Sequence, residues 1–454
     1  MHAPARTGLG EAGRAVAART PFAVTWQALD PRDSLVETRV RRALSGEVPV
    51  DTAVQVALLR NRALQATFEE LGIAQADVWQ ASLLSNPVAT GDVLDARSAG
   101  RPLVIGGVVL PFVEALQRPL RTRVAASALA ATEFRVADAV IHLVAQVRVA
   151  YAEAQAASQQ VELWERVVAV TDARAQAAVA IHDAGNVSDL ALAREQEAAA
   201  DARVSLARAV EARGVAHAEL RRVMGVVDDV TWHTTPRLPD PDTASLPVAA
   251  LTRIARSRRL DLRARRQDVE TLARRLGFTR RFALLADGTI GLSYEREPDG
   301  VFAGGGLSLP IPLFDRGKAR IARARAELRQ AVALHDATVV DIEAEVRSRV
   351  ARLEGARARA LHLRRSVLPL RGRIVAETQR FVNAMQETVF TLLVARQSEI
   401  DAGQAYIDAL REYWSARAEL ERAVGGSFAA LSTDEALALD TAASVSQPLS
   451  PIAR

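Results

Sequence analysis

The spacing of apolar residues changes twice along the chain, and in the same way both times. Thr52 to Ser82 reads as a helix, and so does Val248 to Leu276. Helical spacing then gives way to alternation. Ile290, Leu292 and Tyr294 fall on one face of an extended segment, with Thr289, Gly291, Ser293 and Glu295 on the other. Val301, Ala303, Gly305, Leu307 and Leu309 form a second such face, and Glu297-Pro298-Asp299-Gly300 reads as the turn between two strands. The counterpart in the first half, at about 87–113, carries Gly91, Gly100, Gly106 and Gly107 around the run Leu103-Val104-Ile105. Each half therefore predicts one β-hairpin, the second at about 282–313. A very long helical stretch follows each hairpin: Pro119 to His182, and Gly317 to Val382, which Pro369 interrupts. Roughly 65 residues at ~1.5 Å each span about 95 Å, which suits a coiled coil or a helical barrel rather than a globular core. Turns are predicted at Asp183-Ala184-Gly185-Asn186 and Asn383-Ala384-Met385-Gln386. Shorter helices then return to Gly225 and Gly425, natural C-caps.

The two halves align on these landmarks. Ser188-Asp189-Leu190-Ala191-Leu192 matches Thr388-Val389-Phe390-Thr391-Leu392, and Met224-Gly225 matches Val424-Gly425, both at an offset of 200 (188 to 388, 225 to 425). Ala145-Gln146-Val147-Arg148 matches Ala344-Glu345-Val346-Arg347 at 199, and Leu58 to Leu64 parallels Ile254 to Leu260 at 196. The period is far longer than the ~20–50 residues of solenoid repeats, so this is one duplication of a large unit. The expected organisation is an extended segment over 1–47, a first repeat over 48–226 with long helices at 117–224, and a linker over 227–246. A second repeat over 247–426 follows, with long helices at 317–424, and then a flexible tail over 427–454.

Composition narrows the chemistry. With no cysteine, disulfides, thiolate metal sites, a cysteine nucleophile and a lipid-modified cysteine are excluded. Lys+Arg at 58 nearly balances Asp+Glu at 54, so the chain is not a basic nucleic-acid binder by charge. Ten arginines crowd Arg256 to Arg281, without interleaved aromatics or a groove-entering motif. A solvated face, interchain ion pairs or contact with lipid headgroups suits them better than nucleic acid. The 7 histidines show no ligand spacing, and the triple glycine Gly304-Gly305-Gly306 lacks the Gly-Lys-Ser/Thr of a phosphate loop. The glycines suit close packing or bending instead. No catalytic signature, cofactor or metal site is predicted. No apolar run reaches ~18 residues, and Met1 to Ala23 does not read as a signal peptide.

A membrane-spanning strand needs about 9–11 residues, and each hairpin segment has room for two. Four strands cannot close, and open edges in lipid would leave backbone groups without partners. Closure needs several chains, and three would give a 12-strand barrel wide enough for a lumen. The expected fold class is therefore mainly α with a small β part, two repeats of helix–β-hairpin–long helix–helix, assembled as a trimer. The rival is a soluble coiled-coil scaffold, which would not need the hairpins.

Three stretches resemble the TolC-like outer-membrane efflux channels. They are Leu71-Gly72-Ile73-Ala74-Gln75-Ala76-Asp77 with Leu83-Leu84-Ser85-Asn86-Pro87, then Ala184-Gly185-Asn186-Val187-Ser188, and Leu307 to Lys318 with its core Pro310-Ile311-Pro312-Leu313-Phe314-Asp315. The resemblance spans roughly Ser45 to Gly425. Asn383-Ala384-Met385 with Val389 to Leu393 is similar to the heavy-metal and copper efflux branch. It implies a homotrimer in outer-membrane lipid that extends into the periplasm. It further implies a periplasmic adaptor (membrane fusion protein) and an inner-membrane efflux pump as partners, no nucleic acid and no catalysis. Gly185, Asn186 and Ser188, with Met385 and Thr388 in the second copy, then fall at adaptor-docking tips. They also suit plain turn chemistry, with Gly185 at positive φ and Asn186 or Ser188 as a cap. Better-known relatives line the closed entrance with carboxylates where this chain has Thr391 and Val394. Glu387, one turn earlier, offers a ring of three charges or a plain helix-start carboxylate.

Overall fold

The computed structural model describes residues 9–26, 34–94, 103–227, 231–242, 246–284, 288–297, 300–431 and 435. The chain runs α1 (Gly10–Ala17), α2 (Ser34–Ala43), β1 (Gly46–Val48), α3 (Val50–Arg60), α4 (Arg62–Ser82), β2 (Val88–Leu94), β3 (Leu103–Leu110), α5 (Phe112–Asp183) and α6 (Asp189–Met224). It continues through β4 (Trp232–Thr234), α7 (Val248–Arg258), α8 (Leu260–Arg281), β5 (Thr289–Glu297), β6 (Gly300–Ser308), α9 (Lys318–His362), a π-helical turn (Leu363–Val367), α10 (Leu368–Asn383) and α11 (Val389–Val424). The described part of 1–47 thus holds two helices where an extended segment was expected. Arg19 ties this segment down: its Nε donates to Arg258 O at 2.8 Å, and its own carbonyl accepts from Ser427 N at 2.9 Å. Of the predicted turn at 297–300, Pro298 and Asp299 lie outside the described residues, as do 1–8 and most of the tail, 436–454.

The first predicted helix of each half is broken once. Asn61 and Arg259 leave the helical region, and Gly225 and Gly425 sit against the breaks. Both glycines are left-handed C-caps, at φ 70° and 91°. A Cβ on Gly225 would stand 2.7 Å from Arg60 O, and one on Gly425 3.0 Å from Arg258 C. Asn61 Nδ2 donates to Val223 O at 2.8 Å, closing the junction from the other side. The breaks are 198 residues apart (61 to 259), so the structural offset here is slightly larger than the sequence alignment gave.

Two compact units draw on both repeats rather than following them: 1–12, 67–137 and 260–340 form one, and 13–66, 138–259 and 341–454 the other. The first contains a four-stranded antiparallel sheet in the order β2-β3-β5-β6. The second contains the two helical hairpins, α5 from residue 138 onward with α6, and α10 with α11. Its core is alanine-rich where helices approach: Ala152, Ala156, Ala360, Ala409 and Leu410 surround Leu238 of the linker. The linker is not a bare connection. β4 pairs in parallel with β1, Tyr151 Oη donates to Val48 O at 2.8 Å, and Trp414 Nε1 donates to Pro239 O at 2.8 Å.

Proline placement explains where the long helices differ. α5 is continuous for 72 residues and starts seven residues before Pro119, which it carries inside. In the second copy Pro369 removes one N–H and crowds the carbonyl four residues back. The helix widens immediately before it into the π turn, where Leu368 N bonds to Leu363 O.

Candidate functional site

The sheet has two chemically different faces, and the register shows which residues share each. Leu110 pairs with Ile290, which pairs with Leu307; Val108, Leu292 and Gly305 form the next row, then Gly106, Tyr294 and Ala303. Cross-strand partners point the same way, so this face is almost wholly apolar. It is open: Leu292 is 72% exposed and Leu307 63%. The other face is mixed: it carries Thr90, Asp92, Ser293 and Glu295 with Gly107 and Gly304, and also Val88, Val109, Ile105 and Phe302. An exposed, almost wholly apolar face opposite one that collects the sheet's carboxylates and hydroxyls is the pattern of a sheet between lipid and an aqueous lumen. Within the chain, β2 and β6 are the sheet's two edges. The predicted alternation on β5 and β6 is thus reproduced residue by residue. An added Cβ at Gly304, Gly305 or Gly306 would meet nothing closer than 3.8 Å, so close packing within the chain does not explain the triple glycine.

The helical hairpin tips are built alike. In the first, Gly185 N bonds to His182 O at 2.7 Å and Asn186 N to Ile181 O at 3.1 Å. In the second, Met385 N bonds to Val382 O at 3.0 Å and Gln386 N to Phe381 O at 2.9 Å. This is a Schellman-like closure whose critical residue is left-handed. Gly185 takes φ 79° there, and Met385 takes φ 59°, a conformation L side chains seldom adopt. Met385 is 95% exposed. Ser188 and Thr388 then cap the returning helices, accepting from Ala191 N and Thr391 N. The cap is Ser188; Asn186 takes part through its backbone. Exposed apolar side chains flank both turns, Ile181 and Leu190 on the first, Phe381 and Val389 on the second.

His182 links the two arms of the first tip, with Nε2 2.7 Å from Asp189 Oδ1. That bond, helped by Asp183 and opposed by slight desolvation, raises its pKa above the ordinary imidazole value.

At the start of α11, Thr391 Oγ1 donates to Glu387 Oε2 at 3.0 Å and lies 3.0 Å from Thr388 Oγ1. Glu387, Thr388 and Thr391 thus form one polar cluster. Leu392 and Ala395 pack with Val375 of α10, while Thr391 and Val394 stay exposed on the free side of the helix.

Arginines at the end of α7 and at the break after it engage carboxylates of the same chain. Arg259 and Arg422 both bond Glu345, Arg256 pairs with Glu343, and Arg258 is buried with Glu435 at 2.7 Å. Burial opposes ionisation of Glu345, yet its bond to Arg259 and the charges of Arg259, Arg422 and Arg349 hold it below the usual carboxylate range. Glu421, buried beside Arg148 and Arg417, is pushed the other way, since desolvation outweighs both cations. Sequence reasoning missed these junctions. The one available signal was the paired glycines 225 and 425.

Among the described residues no helix is long and apolar enough to cross a membrane, and no cluster of three His, Asp or Glu could hold a metal. No family model matches the chain, and no curated protein matches it in sequence. Solved structures share its fold. A membrane protein from Pseudomonas aeruginosa superposes with a TM-score of 0.69 at 21% identity, over 83% of this chain and 93% of its own. CusC, studied for folding and transmembrane channel formation, gives 0.69 at 16% identity, over 83% and 92%. The outer membrane protein VceC of Vibrio cholerae gives 0.68 at 17%, over 84% and 96%. The fold expected from the resemblance to TolC-like channels is the fold found.

Proposed function

We propose that the chain is the outer-membrane export channel of a tripartite efflux system, a passive conduit through outer membrane and periplasm. The observation that carries this reading is the sheet: four antiparallel strands with an exposed apolar face and two edges, β2 and β6. In lipid those edges must pair with other chains. Three chains give 12 strands, a size that leaves a lumen. A soluble scaffold would have no use for a lipid-suited face.

The tips Gly185, Asn186, Ser188, Met385 and Thr388 then meet a periplasmic adaptor, which couples the channel to an inner-membrane pump. Glu387, Thr391 and Val394 of three chains converge at the entrance. Metal cations are the proposed cargo, on the likeness of Asn383–Leu393 to the heavy-metal branch. Detergent-solubilised protein should run at about three times the monomer mass of 48.9 kDa and fractionate with the outer membrane. A stable monomer with full strand content, or recovery only in the cytosol from a confirmed native start, would overturn the reading. Deleting the gene should sensitise cells to copper, zinc or cobalt; unchanged tolerance with no redundant channel present would reject the cargo.

A further inference from the structure

The sheet joins its helices at one end only. Val88 pairs with Val109, Leu110 with Ile290 and Thr289 with Ser308, so all four helix connections leave from that end. Three of the four carry exposed cations at nearly the same distance from the last strand residue. Arg118 is eight positions beyond Leu110, Arg281 eight before Thr289, and Arg316 eight beyond Ser308, with Lys318 two further on. None of these four has a carboxylate partner among the described residues. Between the sheet and the last pair runs Leu309-Pro310-Ile311-Pro312-Leu313-Phe314, with Ile311 78%, Leu313 69% and Phe314 99% exposed. At the opposite end of β5, Glu295 and Glu297 flank Arg296.

Asp315, next after Phe314, is taken up by Arg320, so the exposed apolar stretch leads into the unpaired Arg316 and Lys318, which is how a chain sits at the boundary between acyl chains and phosphates. We infer that Arg118, Arg281, Arg316 and Lys318 form a collar that binds the headgroups of anionic phospholipids in the leaflet on the helix side of the membrane. The inference rests on the channel reading, which makes the sheet membrane-spanning. Guanidinium groups favour phosphate because they can donate two parallel hydrogen bonds. Charge attraction to an anionic surface amounts to roughly a fivefold preference per cation near it.

The test uses the full-length protein in detergent, titrated with phosphatidylglycerol or phosphatidylcholine and read as retained lipid by native mass spectrometry. Wild type should retain phosphatidylglycerol preferentially, and 1 M salt should abolish the preference. The combined variant Arg118→Gln, Arg281→Gln, Arg316→Gln and Lys318→Gln should retain the two lipids equally. Replacing the three arginines by lysine should keep most of the preference. Equal retention of both lipids by wild type, or a preference insensitive to salt, overturns the collar without needing any variant to fold. Conductance in pure phosphatidylcholine bilayers reports on the channel separately: a wild-type protein that conducts there but shows no anionic preference refutes the collar alone.

Discussion

Replacing Gly225 with alanine should be among the most damaging single-methyl changes in the helical unit. Two costs combine. At φ 70° an L residue is in the left-handed region, which disfavours it by roughly 1–2 kcal/mol. The new Cβ would also stand 2.7 Å from Arg60 O, 2.8 Å from Arg60 C and 2.9 Å from Asn61 Cα. Those atoms are backbone and cannot swing aside as a side chain would, so overpacking adds about 1–3 kcal/mol. The expected loss is about 2–5 kcal/mol. Gly185→Ala is the control, since φ is 79° but nothing lies within 4 Å of the added methyl, leaving only the conformational cost. Gly425→Ala, 3.0 Å from the backbone at Arg258 and Arg259, should fall between them. Thermal unfolding followed by circular dichroism in one detergent ranks the three. Equal melting shifts for Gly225→Ala and Gly185→Ala would refute the junction argument.

Val394→Asp should raise cation selectivity and ease opening in planar-bilayer recordings, because three carboxylates added at close range repel and attract cations; unchanged conductance and selectivity would remove Val394 from the pore. Glu345→Gln should cost about 1–3 kcal/mol at neutral pH by weakening its bonds to Arg259 and Arg422. Since the folded pKa of Glu345 is depressed, its contribution is present above the unfolded value and is lost as pH falls through the folded one. The gap between variant and wild-type melting should therefore close in acid, and a gap independent of pH would argue against the ion pair. An NMR titration of His182 should give a midpoint above the ordinary imidazole value of ~6.5, returning towards it in Asp189→Asn. With the folded pKa raised, this link at the tip is complete below the unfolded value and fades as pH rises through the folded one.

Periodicity made the hairpins and long helices legible because their apolar faces repeat over many residues. The alternation from Thr289 to Leu309 told both the strands and which side chains share a face, and the cross-strand register agrees. What periodicity could not tell was anything set by contact between segments distant in sequence. The breaks at Asn61 and Arg259 carry no proline or glycine of their own. They exist because Gly225 and Gly425 arrive against them from about 160 residues further along the chain. The order of the linker is set by hydrogen bonds to Tyr151, Gln155 and Trp414 on helices, which periodicity does not show. The tips were located by Gly185 and Asn186, yet Met385 hid the identity of the second turn. A backbone that repeats the first tip bond for bond was not visible through a side chain that rarely adopts its conformation.

The two copies also divide what is scaffold from what is specialised. Features present twice are the ones the architecture needs: a left-handed C-cap against a helix break, a hydroxyl N-cap on each returning helix, and a Schellman-like tip. Features present once fall on both hairpins: the first has the His182–Asp189 link across its tip, and the second has more of them. It alone has the π turn before Pro369, the strained Met385, and the cluster of Glu387, Thr388 and Thr391. Strain of about 1–2 kcal/mol at an exposed residue earns no stability where it sits, and a glycine would relieve it. In the proposed trimer, three first hairpins and three second hairpins alternate around the tunnel. Were they identical, no set of three could close inward while the other set stayed fixed. The proposed threefold entrance, built from six hairpins, therefore calls for asymmetry between the copies. Under the channel reading proposed above, that difference assigns the inward movement to the second hairpin, with its interrupted helix and polar start to α11.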